Sequence, residues 1–312
     1  MIAGVDIGGT KIAAGVVDDT GKVLAKLECP TNAAAGYASA LARTIDMLRT
    51  ASRKAEVQIT GIGIGSTGIV YPRNGAFGDA GLLPGWRGNN LVDDLSREFR
   101  VTVALENDGD ASALGEAAWG AGKTKARLIY VTVGTGIGGG IILNKQLYRG
   151  ADMAHPEIGH HVIEASGPEC CCGYRGCWEA LATGPAMAAW FNTNAPDSKR
   201  NNKELSAAQI SELARCGDEL AKRAVEREIL YLGLGVANLI NLFVPDVIVF
   251  GGSMMKSADL FLDGIRKVIR RGCRFVPAEK TELILASLGD DANLIGAARV
   301  WHYRFVENGG SL

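Results

Sequence analysis

Residues 2–17 read IAGVDIGGTKIAAGVV: an apolar run, a Gly-Gly-Thr-Lys turn and a second apolar run. Residues 128–143 read LIYVTVGTGIGGGIIL and repeat this order, with a Gly-Thr turn between two apolar runs. Short apolar runs bounded by glycine predict buried strands joined by a tight turn. We therefore predict two similar α/β halves, each of which opens with a glycine-rich hairpin.

Local patterns predict helices and strands after each hairpin. Apolar residues at helical spacing predict an amphipathic helix over residues 38–54. Residues 59–65 alternate glycine with isoleucine, which predicts a buried strand with another element packed closely against it. Further strands are predicted at 23–27, 101–105, 247–250 and 283–286, and further helices at 109–119, 179–191, 206–241 and 293–305.

The composition excludes several classes of protein. The chain has 312 residues, of which 47% are hydrophobic and 21% charged, so a largely disordered protein is excluded. The 33 basic and 34 acidic residues nearly balance, which leaves no broad basic surface for a nucleic acid or an anionic membrane. No apolar run approaches the ~18 residues that a bilayer requires, and the N-terminus does not resemble a secretory signal. We expect a cytoplasmic protein that binds neither nucleic acids nor membranes.

Two stretches match the G-x-G-x-x-G pattern of dinucleotide-binding proteins, at residues 63–68 and 134–139. That site needs a helix directly after the glycines, because the helix N-terminus binds the pyrophosphate. Strand-like or proline-containing sequence follows both stretches, so a Rossmann site is not expected. Gly122-Lys123-Thr124 resembles the end of a P-loop, but Ala117 occupies the position of its first glycine, which excludes a Walker A site.

The first hairpin turn carries chemistry that suits an anion. Glycines at positions 8 and 9 allow successive backbone N–H groups to converge on an anion. Thr10 adds a hydroxyl and Lys11 adds a positive charge, while Asp6 could hold Mg²⁺ directly or through water. Two such hairpins could grip the phosphates of ATP. The alternative is a plain Gly-Gly hairpin with a solvated lysine.

The cysteines are concentrated in one short segment. Four of the seven fall within eight residues: Cys170, Cys171, Cys172 and Cys177. A secreted disulfide scaffold would spread its cysteines along a short chain, whereas a tight cluster in a cytosolic enzyme is typical of a metal site. The alternative is a set of reduced cysteines without a metal.

Five motifs together resemble a known family. In chain order they are Asp6-Ile7-Gly8-Gly9-Thr10-Lys11, Glu106-Asn107-Asp108, Gly134-Thr135-Gly136-Ile137-Gly138-Gly139-Gly140, Glu157-Ile158-Gly159-His160 and Cys170-x-Cys172-Gly173-x-x-Gly176-Cys177-x-Glu179. This order resembles the ROK family (repressors, open reading frames and sugar kinases), and within it the zinc-containing bacterial glucokinases. The likeness extends over essentially the whole chain, and the cysteine-histidine motif is its most specific part.

The resemblance implies a fold and a domain organisation. The family has the actin-like, hexokinase-type ATPase fold, in which two α/β lobes close over ATP and a sugar in a central cleft. Residues 1–113 would form a small lobe, with the C-terminal segment 293–312 packed back on it. Residues 114–292 would form a large lobe that carries the cysteine motif.

The resemblance also implies roles for individual residues. Asp108 would be the general base that accepts the proton of the sugar hydroxyl. The other expected sugar contacts are Gly68, Asn107, Asp108, Glu157, His160 and Glu179. The expected ATP and Mg²⁺ contacts are Asp6, Gly8, Gly9, Thr10, Lys11, Thr135, Gly136 and Gly252. The expected ligands of a structural Zn²⁺ are His160, Cys170, Cys172 and Cys177, a closed Cys₃His set.

Alternatives accompany several of these assignments. Asn107 and Asp108 are also typical residues for the start of a helix. His155 and His161 lie near His160, but the family ligand follows glutamate-x-glycine, which selects His160. Cys171 occupies a variable position of the family motif and could be a register alternative.

The implied activity is ATP-dependent phosphorylation of a hexose at its 6-hydroxyl, with glucose as the first expectation. His155-Pro156 precedes Glu157 where many glucokinases of the family carry small residues, and this step resembles the family's fructokinases. Fructose, mannose, N-acetylmannosamine and N-acetylglucosamine therefore stay open as substrates, and polyphosphate as donor. A sugar-responsive repressor is less expected, because its helix-turn-helix domain would precede the glycine-rich loop, which here begins at residue 6. The family also implies a homodimer or homotetramer.

Overall fold

The computed structural model describes residues 1–79, 81–195 and 204–310. Position 80 and positions 196–203 and 311–312 lie outside the described residues. The last two positions of the predicted C-terminal segment 293–312 are therefore outside the described residues as well.

The strands alternate with helices along the chain, as an α/β protein requires. The strands are β1 (Ile2–Ile7), β2 (Lys11–Val17), β3 (Val23–Pro30), β4 (Gly61–Ser66), β5 (Val70–Tyr71), β6 (Ala76–Phe77), β7 (Thr102–Asn107), β8 (Leu128–Val133), β9 (Ile137–Leu143), β10 (Gln146–Leu147), β11 (Val247–Gly251) and β12 (Glu282–Leu285). The α-helices are α1 (Gly36–Lys54), α2 (Leu91–Phe99), α3 (Asp108–Ala118), α4 (Trp178–Leu181), α5 (Gly184–Asn194), α6 (Ala207–Arg215), α7 (Glu219–Phe243), α8 (Ala258–Gly272) and α9 (Ala292–His302). None of the helices in the described ranges combines the length and apolarity that crossing a membrane needs.

Two five-stranded sheets have the same strand order. The first runs β3-β2-β1-β4-β7 and the second runs β10-β9-β8-β11-β12. In each sheet the first strand of a glycine-rich hairpin is central, the rest of the hairpin lies on one side, and two later strands lie on the other. The two hairpins identified in the sequence thus occupy equivalent places, which confirms the predicted pair of similar α/β halves.

Helix α9 covers the first sheet at very close range. A side chain at Gly63 of β4 would collide with the backbone carbonyl of Ala297, and one at Gly4 of β1 with that of Leu294. Glycine at these positions lets the helix backbone lie directly on the strands. Helix α9 is therefore the closely packed element that the alternating glycines of residues 59–65 predict. Residues of α1 and α2 contribute with β1, β2, β4 and β7 to a separate apolar core.

The chain divides into two compact units. Unit 1 contains residues Met1–Tyr130, Gly140–Pro156 and Ala286–Leu312, and unit 2 contains Val131–Gly139 and Glu157–Leu285. The unit boundaries therefore lie elsewhere than the predicted lobe boundary between residues 113 and 114. The division into functional lobes of residues 1–113 and 114–292 therefore remains a prediction.

Two predicted helices are each interrupted. The segment 179–191 contains α4 and α5, because Thr183 accepts a hydrogen bond from the Ala186 N–H and starts a new helix there. The segment 206–241 contains α6 and α7, separated at Gly217, whose φ is +93°. Asp218 then caps α7 by accepting hydrogen bonds from Leu220 N–H and Ala221 N–H, both at 3.0 Å. The periodic spacing of apolar residues continues through such breaks, so the capping residues determine where the helices end.

Helix α7 contains a fully buried carboxyl group, on Glu228. Its side chain is 0% exposed, and neither carboxylate oxygen has a hydrogen-bond partner among the described residues. Burial raises the pKa of Glu228 from 4.5 to about 8, although the positive charge of Arg227 opposes the rise. The folded protein therefore keeps Glu228 protonated at pH values where the unfolded chain loses that proton.

Replacement of Glu228 by glutamine should make the protein less sensitive to alkaline pH. A pKa raised by folding contributes stability that is complete below pH 4.5 and is lost as the pH rises through 8. The free energy of unfolding of Glu228→Gln should therefore gain on that of the wild type by about 1.4 kcal/mol per pH unit between roughly pH 5 and 8. Urea denaturation across this range measures the difference.

The matched control is Glu226→Gln, which removes an exposed glutamate from the same helix. Its free energy of unfolding should follow the wild type at every pH. Parallel pH dependences for Glu228→Gln and the wild type would contradict a buried neutral carboxyl group at position 228.

Candidate active site

The first hairpin turn is held by a residue that the sequence analysis did not identify. Gly8 N–H donates to Lys11 O at 2.9 Å and closes the turn. Thr31, which follows β3 and is fully buried, donates from its backbone N–H to Thr10 O at 2.9 Å and from its hydroxyl to Gly8 O at 2.6 Å. These bonds satisfy the carbonyl groups of Gly8 and Thr10 and fix the conformation of the turn. The sequence does not predict this role, because Thr31 is distant from the turn along the chain and belongs to no motif.

Lys11 forms an ion pair within the first sheet. Its ammonium group lies 2.7 Å from the carboxylate of Glu28, which Lys26 also contacts at 2.6 Å. The Lys11 and Glu28 side chains are 49% and 37% exposed, so the pair contributes at most about 1 kcal/mol. Lys11 can therefore exchange this partner for another anion at little cost.

Three parallel strands end at one edge of the first sheet. Strand β4 pairs in parallel with β1 on one side and β7 on the other, with Ile7, Ser66 and Asn107 in register. Because carboxyl ends of parallel strands meet at the same edge, the residues that follow them are neighbours. Gly68, with a φ of +81°, lies just past the end of β4, and Asp108 directly follows β7.

Asp108 occupies the first position of helix α3. Asn107 caps this helix, because its side-chain oxygen accepts a hydrogen bond from Gly109 N–H at 2.8 Å. The same N–H lies 2.9 Å from Asp108 Oδ1 and restrains that carboxylate. The helix-cap alternative considered for Asn107 is thus correct, and it leaves the proposed role of Asp108 open, because a cap and a catalytic group can coexist.

Asp6 lies close enough to Asp108 to sense its charge. Asp6 is 8% exposed, and burial together with the negative charge of Asp108 raises its pKa to about 7. A side-chain hydrogen bond to Asn293, at the start of α9, acts in the opposite direction. Asn293 was not identified from the sequence. A cation bound beside Asp6 would favour the ionised form of its carboxyl group.

The second glycine-rich turn is shorter than the sequence suggests. The turn comprises Gly134, Thr135 and Gly136, and strand β9 already begins at Ile137. The later glycines are strand residues. A side chain at Gly140 would come within 2.7 Å of Ala113 Cβ and 2.8 Å of Gly109 O, so this glycine lets α3 approach the strand. Gly140 therefore serves helix packing in the described structure.

A cavity of about 550 Å³ adjoins the second turn within unit 2. Its lining includes Gly134 and Thr135 from the turn, Gly184 and Pro185 from the start of α5, and Ser253 after β11. Gly252, with a φ of +89°, packs on the backbone of Val133, where a side chain would collide. Thr135 thus lines a cavity large enough for a small-molecule group, and Gly252 directly precedes another lining residue, Ser253.

Four possible metal ligands converge within unit 2. One ligand atom from each of His160, Cys170, Cys172 and Cys177 lies within 4.8 Å of the others. Cys170 Sγ is 3.4 Å from His160 Nδ1, and Cys172 Sγ is 3.6 Å from Cys177 Sγ. Ligands bound at about 2.0–2.3 Å around a tetrahedral zinc ion would be separated by roughly 3.3–3.8 Å. The donor set and its spacing therefore fit a closed zinc site.

The neighbouring histidines have other contacts. His161 Nδ1 lies 2.6 Å from Ile158 O, and its ring lies against Trp178. His155 Nδ1 lies 2.6 Å from Asp110 Oδ2 in unit 1. His160 is thus the histidine that faces the thiols, as the sequence motif indicates. Cys171 forms a second, looser group with His160 and Glu179.

Glu179 connects the cysteine segment to the second glycine-rich turn. Its carboxylate oxygen accepts a hydrogen bond from Ile137 N–H at 2.9 Å, directly after the turn. Its other oxygen lies 3.7 Å from Cys171 Sγ. Glu157 is exposed, and its backbone carbonyl accepts from His160 N–H at 3.1 Å. Unit 2 thus gathers Glu157, His160, Glu179 and Thr135 around one group of loops.

The family model for the ROK family matches residues 2–304. The chain belongs to the ROK family. Glucokinase of Streptomyces coelicolor is 35% identical to this chain over an alignment of 316 positions, and the alignment covers 96% of each chain. The xylose repressor of Bacillus subtilis is 34% identical over 222 residues, which cover 71% of this chain and 56% of the repressor.

A solved structure of a ROK relative extends the comparison to the fold. The ROK family glucokinase from Streptomyces griseus, in complex with glucose and AMPPNP, has a TM-score of 0.82 and 33% identity, with 97% of this chain and 99% of that chain covered. This likeness confirms the predicted α/β fold of the actin-like, hexokinase type for the present ROK protein.

Thr31→Val should loosen the first hairpin turn of this ROK protein while keeping the side-chain shape. The lost hydroxyl bond to Gly8 O should lower the free energy of unfolding by about 1 kcal/mol. Amide hydrogen exchange at Gly8–Lys11 should become faster than in the wild type. Mass spectrometry of exchanged peptides measures this change.

Thr31→Ser is the control, because serine retains the hydroxyl. It should preserve slow exchange in the turn and most of the stability. If Thr31→Val and Thr31→Ser both exchanged like the wild type, the hydroxyl bond would not be what holds the turn.

Proposed function

We propose that this ROK protein transfers the γ-phosphoryl group of ATP to the 6-hydroxyl of glucose and so forms glucose 6-phosphate. The observation that carries the proposal is full-length similarity to a glucokinase, combined with a restrained carboxylate, Asp108, at the carboxyl ends of three parallel strands. Ligands of open α/β sheets bind outside this edge.

Asp108 is the proposed general base. Its carboxylate would accept the proton of the sugar 6-hydroxyl while the hydroxyl oxygen bonds to the γ-phosphorus. The bond from that phosphorus to the β–γ bridging oxygen breaks, and ADP leaves with the electron pair. Phosphoryl transfer depends mainly on position and charge, so a base fixed by its helix start suits this step.

The phosphate-binding role is assigned to the two glycine-rich turns. Gly8, Gly9 and Thr10 would direct backbone N–H groups and a hydroxyl at the phosphates, and Lys11 would add a positive charge. Thr135 and Gly136 would do the same from the second turn. Gly252 would lie on the adenosine side, which the adjoining cavity of about 550 Å³ supports.

Asp6 would hold Mg²⁺, directly or through water. The fit is supported by its raised pKa, because a cation would offset both causes of the rise, which are burial and the negative charge of Asp108. When bound, the ion would neutralise negative charge on the phosphates.

The sugar-binding role is assigned to Asn107, Gly68, Glu157, His160 and Glu179. The carboxylates can accept hydrogen bonds from the several hydroxyls of a hexose, and the amide and imidazole groups can both donate and accept. A pocket of this kind discriminates between sugars, because a mismatched hydroxyl leaves a polar group unpaired.

His160, Cys170, Cys172 and Cys177 would hold a structural zinc ion. With Nδ1 directed at Cys170, the ring of His160 would be fixed and its Nε2 would remain to meet the sugar. Glu179 lies two residues after Cys177, so the same knuckle would also fix this carboxylate. The zinc would act on the reaction only through the placement of these two side chains.

A ROK kinase for another hexose is the second candidate. It is favoured by the His155-Pro156 step ahead of Glu157, where His155 binds Asp110 instead of leaving room as a small residue would. A repressor function is the third candidate, since the xylose repressor matches 71% of this chain. Location in the cytoplasm and assembly as a homodimer or homotetramer remain predictions.

A panel of sugars and donors tests the proposed activity. With ATP, coupled ADP release should be fastest with glucose among glucose, fructose, mannose, N-acetylglucosamine and N-acetylmannosamine. Polyphosphate is tested by direct detection of glucose 6-phosphate. Asp108→Asn should lower kcat at least about 10³-fold, because the general base is lost. Turnover of an N-acetyl sugar without turnover of glucose would refute the glucose assignment.

Loss of one thiolate should remove zinc and weaken sugar binding together. Elemental analysis should find one zinc per wild-type chain and much less in Cys172→Ser. The KM for glucose should rise at least about tenfold in Cys172→Ser, because metal-site partners are commonly worth 10- to 100-fold. The KM for ATP should change little.

Cys216→Ser is the matched control, because Cys216 is exposed and lies outside the cluster. It should keep both the zinc content and the KM for glucose. A zinc-free Cys172→Ser protein with an unchanged KM for glucose would separate the metal from sugar binding.

A further inference from the structure

Asp108 is flanked by two buried acidic residues. Glu106, two positions before it, is 1% exposed, and Asp110, two positions after it, is 0% exposed. Glu106 belongs to the end of β7, and Asp110 to the first turn of α3. Buried carboxylates are costly unless they are paired, so the partners of these two groups show what holds them.

Arg149 pairs with both acids at once. Its Nη1 lies 2.5 Å from Asp110 Oδ2, and its Nη2 bonds Glu106 Oε2. The arginine side chain is only 7% exposed. Arg304 adds a second guanidinium 3.7 Å from Glu106 Oε1. One fork-shaped cation thus spans the chain from the last strand residues before Asp108 to the first helical turn after it.

His155 binds the same oxygen of Asp110 as Arg149 does. Its Nδ1 lies 2.6 Å from Asp110 Oδ2, and its side chain is 14% exposed. The Nδ1 atom must carry a proton to donate to this carboxylate. Asp110 Oδ1 has no hydrogen-bond partner among the described residues. Arg149 and His155 therefore both hold Asp110 through one oxygen.

Stability alone is a poor explanation for this arrangement. Buried ion pairs roughly break even against apolar residues of the same size, because desolvation offsets their attraction. An unpaired buried oxygen, as on Asp110, adds a further cost. What the network does provide is a fixed position for both backbone segments next to Asp108. A displacement of about 1 Å near reacting atoms can cost 10²-fold in rate.

We propose that Asp110, Arg149 and His155 are positioning residues that clamp the two sides of Asp108 and hold its carboxylate in place for proton transfer. The clamp acts through Glu106 and Asp110 and touches no substrate. This inference rests on the proposed function of Asp108 as general base. It also gives the His155-Pro156 step a role that the sequence pattern left open.

Three variants test the clamp. His155→Ala removes the donor to Asp110, and His155→Asn restores an N–H near the position of Nδ1. His155→Ala should lower kcat about 10- to 100-fold through misplacement of Asp108. The KM for ATP and for glucose should stay within about twofold, because no binding contact is lost. His155→Asn should recover most of kcat. Asp110→Asn should lower kcat in the same way and serves if His155→Ala does not fold.

His302→Ala is the matched control for the loss of a partly buried imidazole in unit 1. His302 lies in α9 against Trp119 and Trp301, away from the paired acids. It should keep kcat even if its stability falls as much as that of His155→Ala. Equal losses of kcat in His155→Ala and His302→Ala, or no loss in His155→Ala, would overturn the positioning role.

Hydrogen exchange provides a readout that does not require activity. Amides of residues 107–112 should exchange faster in His155→Ala and Asp110→Asn than in the wild type or His302→Ala. If the wild type phosphorylated no sugar, the proposed function would fail, yet this exchange would still decide the clamp. Unchanged exchange at residues 107–112 would overturn the clamp whatever the activity.

Discussion

The in-register pairing of three parallel strands determines where the chemistry of unit 1 can lie. Because β1, β4 and β7 end together, Asp6, Gly68 and Asp108 come to one edge of the sheet from distant parts of the sequence. Helix α9 lies directly on glycines of β1 and β4. Asn293, in the first turn of the same helix, bonds Asp6. One helix thus both covers the sheet and supplies a polar partner at its edge.

Buried acidic side chains are a second feature of this edge of the sheet. Asp6, Glu106 and Asp110 are all buried. Burial raises the pKa of Asp6 and that of Glu106 to about 7, and Glu106 and Asp110 both pair with Arg149. Such paired charges add little net stability, but they restrict where their backbones can move. Two buried ion-paired acids of unit 1 therefore lie on either side of Asp108, where position matters most for the proposed reaction.

Local sequence patterns predicted the features whose parts are close along the chain. The two hairpins and the α/β class were confirmed, because apolar runs and glycine turns act over a few residues. The cysteine cluster was predictable for the same reason, since three thiols lie within eight residues and His160 only ten residues earlier. The interruptions at Thr183 and Gly217 were missed, because apolar periodicity continues across a cap or a single glycine. The assignments of individual residues to sugar, ATP and Mg²⁺ stay predictions.

The sequence by itself identified the candidate residues for the chemistry: Asp108 after a strand, glycines in two hairpin turns, and a Cys₃His motif. Only the tertiary structure decided which residues support them. Thr31 holds the first turn from the end of another strand, and Arg149 and His155 reach the start of α3 from about 40 residues away. A motif records neighbours along the chain, whereas hydrogen-bond partners of buried groups are chosen by packing between distant segments. Those partners belong to no recognisable sequence motif, so they can be identified only from the folded structure.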